Sequence, residues 1–403
     1  MNSIHNKNIS DNESISDNES ISENESISDD EIDYQVDNID LKGKSINDYY
    51  IIEELGRGAF SIVWLSYNIK KNKFYAFKVN QSTDFMEAVN EARFHKKLPS
   101  KYNSEIIFNK IIHSFPKVID DNKYFCSIYE LYCGNLDDFI TKGYYPNGYA
   151  ESDCISMIHT IVKALNYLHN KLQVYHGDLK PDNILLNGLN TRDKQLMDEY
   201  KKHSLFSTFI HSTDTNEKDN IHQEIVESIN IDKNLKYECE DNYINNPKTV
   251  LADFGNFCDI DDFFENEFGT RYYRAPEVII VGECGFPVDI WALGCTFYEL
   301  LTGKCLFNPK KKEFDTNHEH LCIIQDLCEN IPKKLIKKCS KRKTYFTKDY
   351  KLIKYKKKEL NLKEILLNDI ENTDIIDFIL LCLKSDPTKR ADINKLVNHN
   401  LWI

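Results

Sequence analysis

The stretch "VYHGDLKPDNILL", Val174 to Leu186, sets a carboxylate, a lysine and an amide at fixed intervals between two apolar ends. At that spacing Asp178 would accept a proton from a hydroxyl, Lys180 would steady a phosphoryl group in transit, and Asn183 would hold a magnesium ion. Alone, D-x-K-x-x-x-N proves little. Further on, Asp253 in "LADFGN" would hold magnesium from the other side, and "YRAPEV" follows at Tyr273–Val278. Three such motifs in this order make chance an implausible explanation.

Upstream, "LGRGAFSIVW" (Leu55–Trp64) places Gly56 and Gly58 between two strand-like runs. Glycines let a backbone approach a polyphosphate, although a plain tight hairpin has the same look. Lys78 in "YAFKV", between Ala76 and Val79, strengthens the first reading: in a strand it points one way and its neighbours the other, so it either faces solvent as an edge lysine or neutralises phosphate oxygens. A carboxylate from the next helix would hold it; Glu91 is the candidate and Glu87, one turn earlier, the competitor.

Around these motifs the pattern changes along the chain. "YYIIEELGRGAFSIVWLSYN" and "KFYAFKVN" predict three antiparallel strands, and "KYFCSIYEL" another. "DFMEAVNEARFHKKL" predicts a helix with Phe85, Val89, Ala92 and Leu98 on one face. From "SDCISMIHTIVKALNYLHN" onward helical periods dominate. A strand-rich first lobe followed by a helical second one gives a bilobal α+β fold. Residues 187–248 are polar without a sustained pattern and read as an insert in a surface loop, which is cheap to lengthen.

The first 46 residues are different again. "ISDNES ISDNES ISENES ISDDE" repeats from Ile9 to Glu31 with too few apolar residues for a core, the composition of a disordered acidic tail. Ser10, Ser16, Ser22 and Ser28 each have an acid three residues later, a spacing that resembles sites of acidophilic kinases. The net charge of −13 lies largely there, since residues 1–45 carry twelve acids against three lysines. The mildly acidic remainder argues against a dedicated nucleic-acid binder. Twelve scattered cysteines without CxxC pairs read as reduced thiols of a cytosolic or nuclear protein. The polar start predicts no signal peptide, and runs such as "IIDFILLCL" are too short to span a bilayer. A soluble monomer without membrane or nucleic-acid partners is the expectation.

From about residue 47 to 403 the chain resembles the eukaryotic protein kinase family, with an N-lobe over about 47–131 and a C-lobe over about 132–403. The resemblance implies transfer of phosphate from ATP, with Mg2+, to protein hydroxyls. Its ATP site would comprise Leu55, Gly56, Arg57, Gly58, Ala59, Phe60, Ser61, Val63, Ala76, Lys78, Glu91, Tyr129, Glu130, Leu131 and Leu185. Within that set Tyr129 would gate the adenine pocket, while the backbone of Glu130 and Leu131 would bond the base. Asp178 and Lys180 would be catalytic, Asn183 and Asp253 metal ligands. Glu277 and Arg390 would form a structural ion pair, and Asp289 would be buried. "GTRYYRAPEV", with Arg274, is similar to the CMGC group. "GAFSIVWL", "DFGNFC" and the position of the insert resemble its SR-protein kinase branch, whose substrates are rich in Arg and Ser. The insert is much shorter than that branch's spacer, and "DFG" stands where the branch often has D-L-G.

Glu313, Asp315, Glu319, Asp326 and Glu329 fall where SR-protein kinases hold Arg-rich substrates in an acidic groove. Lys310–Lys312 precede them and "KKLIKKCSKRK" follows, so a mixed-charge solvated surface is an equal reading. Gly177 occupies the place where many kinases have an Arg that binds a phosphate on the activation segment. SR-protein kinases likewise lack that Arg, which implies a site competent without that phosphate. The alternatives are a CLK- or DYRK-like kinase with other substrates and dual specificity, and a pseudokinase that binds partners without turnover.

Overall fold

Residues 45–80 alternate between two apolar sets, the pattern of strands covered on both faces. The structure is a computed structural model that describes residues 39–58, 60–231, 247–259, 268–280, 284–310, 315–358 and 360–403. The acidic repeat, Ala59 and Glu313 lie outside the described residues. β1 (Ser45–Ile46), β2 (Tyr49–Arg57), β3 (Ser61–Asn68), β4 (Lys73–Asn80), β5 (His113–Ile119) and β6 (Asn122–Tyr129) form an antiparallel sheet in the order β1-β2-β3-β4-β6-β5. One face buries Tyr49, Ile51, Ile62, Trp64, Phe77 and Val79 with Leu41. Directly paired residues point the same way. Val63, Lys78 and Ser127, which pair across β3, β4 and β6, therefore share the opposite face.

α1 (Phe85–His95) lies against one end of that second face, where Ala88 and Ala92 pack on Phe125. The helix ends at His95, so Leu98 is buried in the turn beyond it and not on the helix face that its spacing suggested. β5 was not expected, because Pro116 interrupts its pattern. Proline is tolerated there because β5 is an edge strand.

After β6 come β7 (Gly134–Asn135), α2 (Leu136–Thr141), α3 (Glu151–Tyr167), β8 (Val174–Tyr175) and β9 (Ile184–Leu186). The insert then departs from expectation. Far from an unpatterned loop, it forms α4 (Thr191–Lys202), α5 (Phe206–His211) and α6 (Thr215–Ser228). Asn190 caps α4 through Asp193 N–H, and Asp214 caps α6 through Asn216 and Glu217 N–H. Leu196, Tyr200, Phe209, Ile225 and Val226 pack on Tyr50, Ile52, Leu65, Tyr67 and Phe74. Leu65 lies two residues from Val63, so the insert covers a continuation of the face that carries Lys78.

β10 (Thr249–Leu251) pairs with β9, and β11 (Cys258–Asp259) with β8. The remaining helices are α7 (Pro276–Ile279), α8 (Pro287–Thr302), α9 (Thr316–Leu327), α10 (Lys333–Lys338), α11 (Arg342–Tyr345), α12 (Leu362–Asp369), α13 (Thr373–Cys382) and α14 (Ile393–Val397). α8 is apolar nearly all round and buries almost every residue, which makes it the centre of the helical core. Among the described residues no helix is long and apolar enough to cross a membrane, and no described cysteine forms a disulfide.

Candidate active site

The loop between β8 and β9 is held from behind. Asp289, near the start of α8, is buried and accepts bonds from His176 N–H at 2.7 Å and Gly177 N–H at 3.0 Å, with His169 Nε2 at 2.8 Å. Burial alone would raise its carboxyl. The hydrogen bond and charge of His169 outweigh that and hold it below the usual range. Asp289 thus fixes two successive amides of the loop, and the next residue is Asp178.

Gly177 has φ +80°, and a Cβ there would stand 2.5 Å from the Asn256 carbonyl oxygen. No side chain fits this backbone, arginine included. Gly269, with φ +70°, approaches from the other side, and its Cβ would meet the Gly177 carbonyl oxygen at 2.6 Å. The segment after β11 therefore lies directly on the loop, backbone to backbone. The contact delivers Thr270, whose N–H donates to Asp178 Oδ1 at 2.7 Å and whose hydroxyl accepts from Lys180 Nζ at 2.6 Å. Lys180 also lies 3.2 Å from Asp178 Oδ2, and Asn183 Nδ2 donates to the Asp178 carbonyl at 2.8 Å. Burial would raise the Asp178 carboxyl, but Lys180 and Thr270 hold it below its ordinary value.

Across the cleft, Lys78 Nζ meets Glu91 Oε2 at 3.3 Å and Asp253 Oδ1 at 3.5 Å. Glu87, one turn earlier on α1, is exposed and makes no bond to Lys78, so the choice between the two glutamates falls to Glu91. Burial opposes both charges of the pair. Each partner's charge overcomes it, raising Lys78 and lowering Glu91. Glu91 Oε1 further accepts from Phe254 N–H at 3.3 Å, and Phe254 packs between His95 and His176, 5.3 Å from each ring. Asp253 has φ +58°, which turns its half-exposed carboxylate back towards Lys78. Glu277 and Arg390 form the buried bidentate pair expected of them, at 2.6 and 3.0 Å.

The sequence model of the protein kinase domain matches residues 49–213 and 233–402. The chain belongs to the protein kinase family. Among its relatives is a serine/threonine-protein kinase SRPK of Physarum polycephalum, 29% identical, with 88% of this chain and 85% of that one covered. The dual specificity protein kinase CLK1 of Homo sapiens is 27% identical over 87% of this chain and 65% of its own length. The relatives are of the CMGC type. A crystal structure of a kinase domain, PF14_0431, superposes with a TM-score of 0.65 at 26% identity, covering 89% of this chain and 96% of that one. As a protein kinase, this chain uses ATP.

The residues expected around the nucleotide lie together in this kinase. Val63 and Ala76 share the sheet face of Lys78, and Ala76 pairs with buried Tyr129. Leu55, Val63, Ala76, Leu131 and Leu185 are each half-buried, while Gly56, Arg57, Gly58 and Phe60 are exposed and Ser61 is intermediate. A Cβ at Gly56 would meet nothing within 4 Å, and one at Gly58 only the Ser61 carbonyl at 3.8 Å. The chain's own packing therefore does not demand glycine there. Glu130 carries its side chain outward to Lys73 at 2.7 Å, which leaves only its backbone for a base. Leu55 and Leu131 also pack against the cluster under the insert, and Arg192 Nη2 of α4 donates to the Glu54 carbonyl at 3.3 Å.

Two further groups emerge that the motifs did not indicate. Thr270 is one, since nothing in its local sequence predicts a bond to Asp178. Asp137 on α2 is the other: its carboxyl is pushed up to about 6, first by burial and then by Asp182, Glu299 and Asp138. Of the acids expected to line a groove, Asp315 caps α9 and accepts from Tyr345, while Asp326 is buried and accepts from Tyr355 and from Lys358 N–H. Both carboxylates are engaged within the chain, and Glu329 pairs with Lys384 at 3.2 Å.

Proposed function

We propose that this kinase phosphorylates serine and threonine of proteins from a site that needs no phosphate on its activation segment. The observation that carries this is the direct seat of Gly269 on Gly177, which leaves no room for an arginine and no gap for a phosphate to bridge. Where other kinases order this segment by charge, here backbone contact and the Thr270 bonds to Asp178 and Lys180 do so.

Asp178 is the group that receives the hydroxyl proton, and its depressed carboxyl keeps it ionised for that task. Lys180 supports the transferring phosphoryl group; Lys78, fixed by Glu91, neutralises the nucleotide's phosphates. A magnesium ion fits the donors on either side of them. Asp253 offers a half-exposed carboxylate, and Asn183, whose Nδ2 is engaged by the Asp178 carbonyl, offers its amide oxygen. Two protein donors suit a cation that takes its remaining ligands from phosphate and water.

For substrates, basic segments of the Arg/Ser type are favoured by Asp137, a carboxylate crowded by other acids beside Lys180 and so relieved by an arriving cation. The groove over α9 adds little to this reading, because Asp315 and Asp326 are already engaged. The test is transfer from Mg-ATP by protein treated with phosphatase and shown by mass spectrometry to be unphosphorylated. Peptides with Arg-Ser repeats, with equal charge but isolated serines, and with tyrosine are compared, and Asp178→Ala serves as blank. Transfer to the repeats without a lag is expected. Activity appearing only after an upstream kinase acts would end the unregulated reading; preference for tyrosine would turn it to the dual-specificity alternative. ATP binding without transfer to any peptide would leave the pseudokinase.

A further inference from the structure

Residues 333–363 hold fourteen Lys and Arg against two acids, in a chain whose net charge is −13. The fold brings part of this segment together around Tyr350. Tyr350 lies under both Arg342 of α11, 4.8 Å from its ring, and Lys337 of α10, at 5.6 Å, which draws α10, α11 and the turn at 347–351 together. Lys333, Lys334, Lys343, Lys348, Lys351, Lys356 and Lys357 are exposed and have no ion pair among the described residues. So many uncompensated like charges repel one another in the free protein, and the repulsion is relieved when an anion binds. Beside Lys357 opens a pocket of about 240 Å³ with an apolar floor of Leu327, Leu360, Leu362, Leu380 and Leu383; Lys363 and Lys384 also line it, as do Asp326 and Glu329, which are paired with Lys358 and Lys384. Leu360 is 44% exposed in it.

We propose that this lysine face and its pocket form a docking site for an acidic protein segment with a bulky apolar anchor, carried by the substrate away from its phosphorylated residue. The proposal rests on the protein-kinase reading above. Its position suits that use. Arg271, beside Thr270, donates to Asn317 of α9 at 2.7 Å, and Asn317 reaches the Tyr345 hydroxyl of α11 at 3.5 Å, so the face stands behind the segment that seats the acceptor. Lysine dominates it, with Arg342 the single arginine, which favours dispersed carboxylates over bidentate recognition. Nucleic acid suits it less. Tyr350 is occupied by two cations and is no stacking platform, and the rest of the chain is strongly acidic.

The test uses the full chain and three peptides that share one acceptor serine. The first carries a distal tract of glutamates around one leucine, the second has Gln for Glu, and the third Ala for Leu. Dissociation constants are read by fluorescence anisotropy, and KM and kcat by phosphate transfer. The first peptide is expected to bind at least tenfold more tightly than either control, with lower KM, unchanged kcat and weakening in salt. Replacing Lys343, Lys348, Lys351 and Lys357 by Gln should remove the difference, and Leu360→Ser the part due to leucine. Neither should alter transfer to a peptide without the tract. Equal binding of all three peptides overturns the site, as does displacement of the first by a single-stranded RNA that binds more tightly. Tight binding without any transfer would overturn the kinase reading and leave the docking face standing.

Discussion

Gly177 governs the site through the backbone, so its replacement is informative. Gly177→Arg must relieve a Cβ contact of 2.5 Å and a left-handed φ. It should lower the transfer rate by at least tenfold with little change in ATP affinity, and phosphorylating the segment should not restore it. A Gly177→Arg protein that becomes active on phosphorylation would show that the segment has room to rearrange. Asp178→Ala should cost roughly 10²–10⁴ in rate. The pH profile separates two carboxylates. Asp178, depressed, stays ionised below the ordinary aspartate value of 3.8, so it imposes no loss of kcat near neutrality. Asp137, at about 6, becomes protonated as pH falls through that value and ceases to attract a cation. For a basic peptide KM should therefore rise below pH 6 while kcat holds, and Asp137→Asn should abolish that limb. A limb that survives the substitution belongs to another group. That Asp178, Lys180, Asn183 and Asp253 would gather around one cleft was legible because each is a side chain whose chemistry stands in the sequence. The Gly177–Gly269 contact was not, since two glycines far apart in the chain leave no pattern that announces their meeting.

The insert shows the same limit in helices. Its signal was present: Leu196 and Tyr200, then Ile221 and Ile225, stand at i and i+4, behind Asn and Asp caps. Each apolar stripe is short, and the polar faces dominate the composition, so the segment reads as loop until a partner surface is seen. That partner is the sheet. His222 of α6 ties the two, with Nε2 at 2.9 Å from the Ile51 carbonyl and Nδ1 at 2.8 Å from the Tyr200 hydroxyl. This is the pattern of a neutral ring that donates through Nε2 and accepts at Nδ1. Burial pushes its pKa down from 6.5 to about 4. The unfolded chain then binds the proton more readily, so stability is full above pH 6.5 and falls as pH drops towards 4, by roughly 3 kcal/mol in all. Hydrogen exchange in α4–α6 should accelerate over that window and not between pH 7 and 9. Tyr200→Ala, at a fully buried aromatic, should cost roughly 3–5 kcal/mol of local stability. It should also raise KM for ATP, because α4 braces β2 through Arg192 and packs near Leu55 and Leu131. Unchanged KM with a visibly loosened insert would make the helices a cover without influence on the nucleotide.

Across the whole kinase, one buried carboxylate and one buried ion pair tie segments around the cleft to α8, and they differ in what their loss should do. Asp289 holds the Asp178 loop by two amides, and its place was legible from "DIW". The Glu277–Arg390 pair joins α7 to the connection between α13 and α14. Arg390 also donates to the carbonyls of Pro287 and Lys384 and lies over the Trp291 ring at 5.1 Å, so one guanidinium serves three stretches of chain. Buried pairs often add little net stability, because desolvation offsets attraction, but breaking one leaves a charge without a partner. Glu277→Leu should therefore cost roughly 3–5 kcal/mol of stability in denaturant unfolding, with Arg390 stranded. The double variant Glu277→Leu with Arg390→Met removes both charges and should recover much of that loss. Recovery should stop short of the native value, because the Pro287 and Lys384 carbonyls then lose a donor that methionine cannot replace. A double variant as unstable as the sum of its singles would mean that the pair is not coupled, and that α7 is held by its apolar contacts alone.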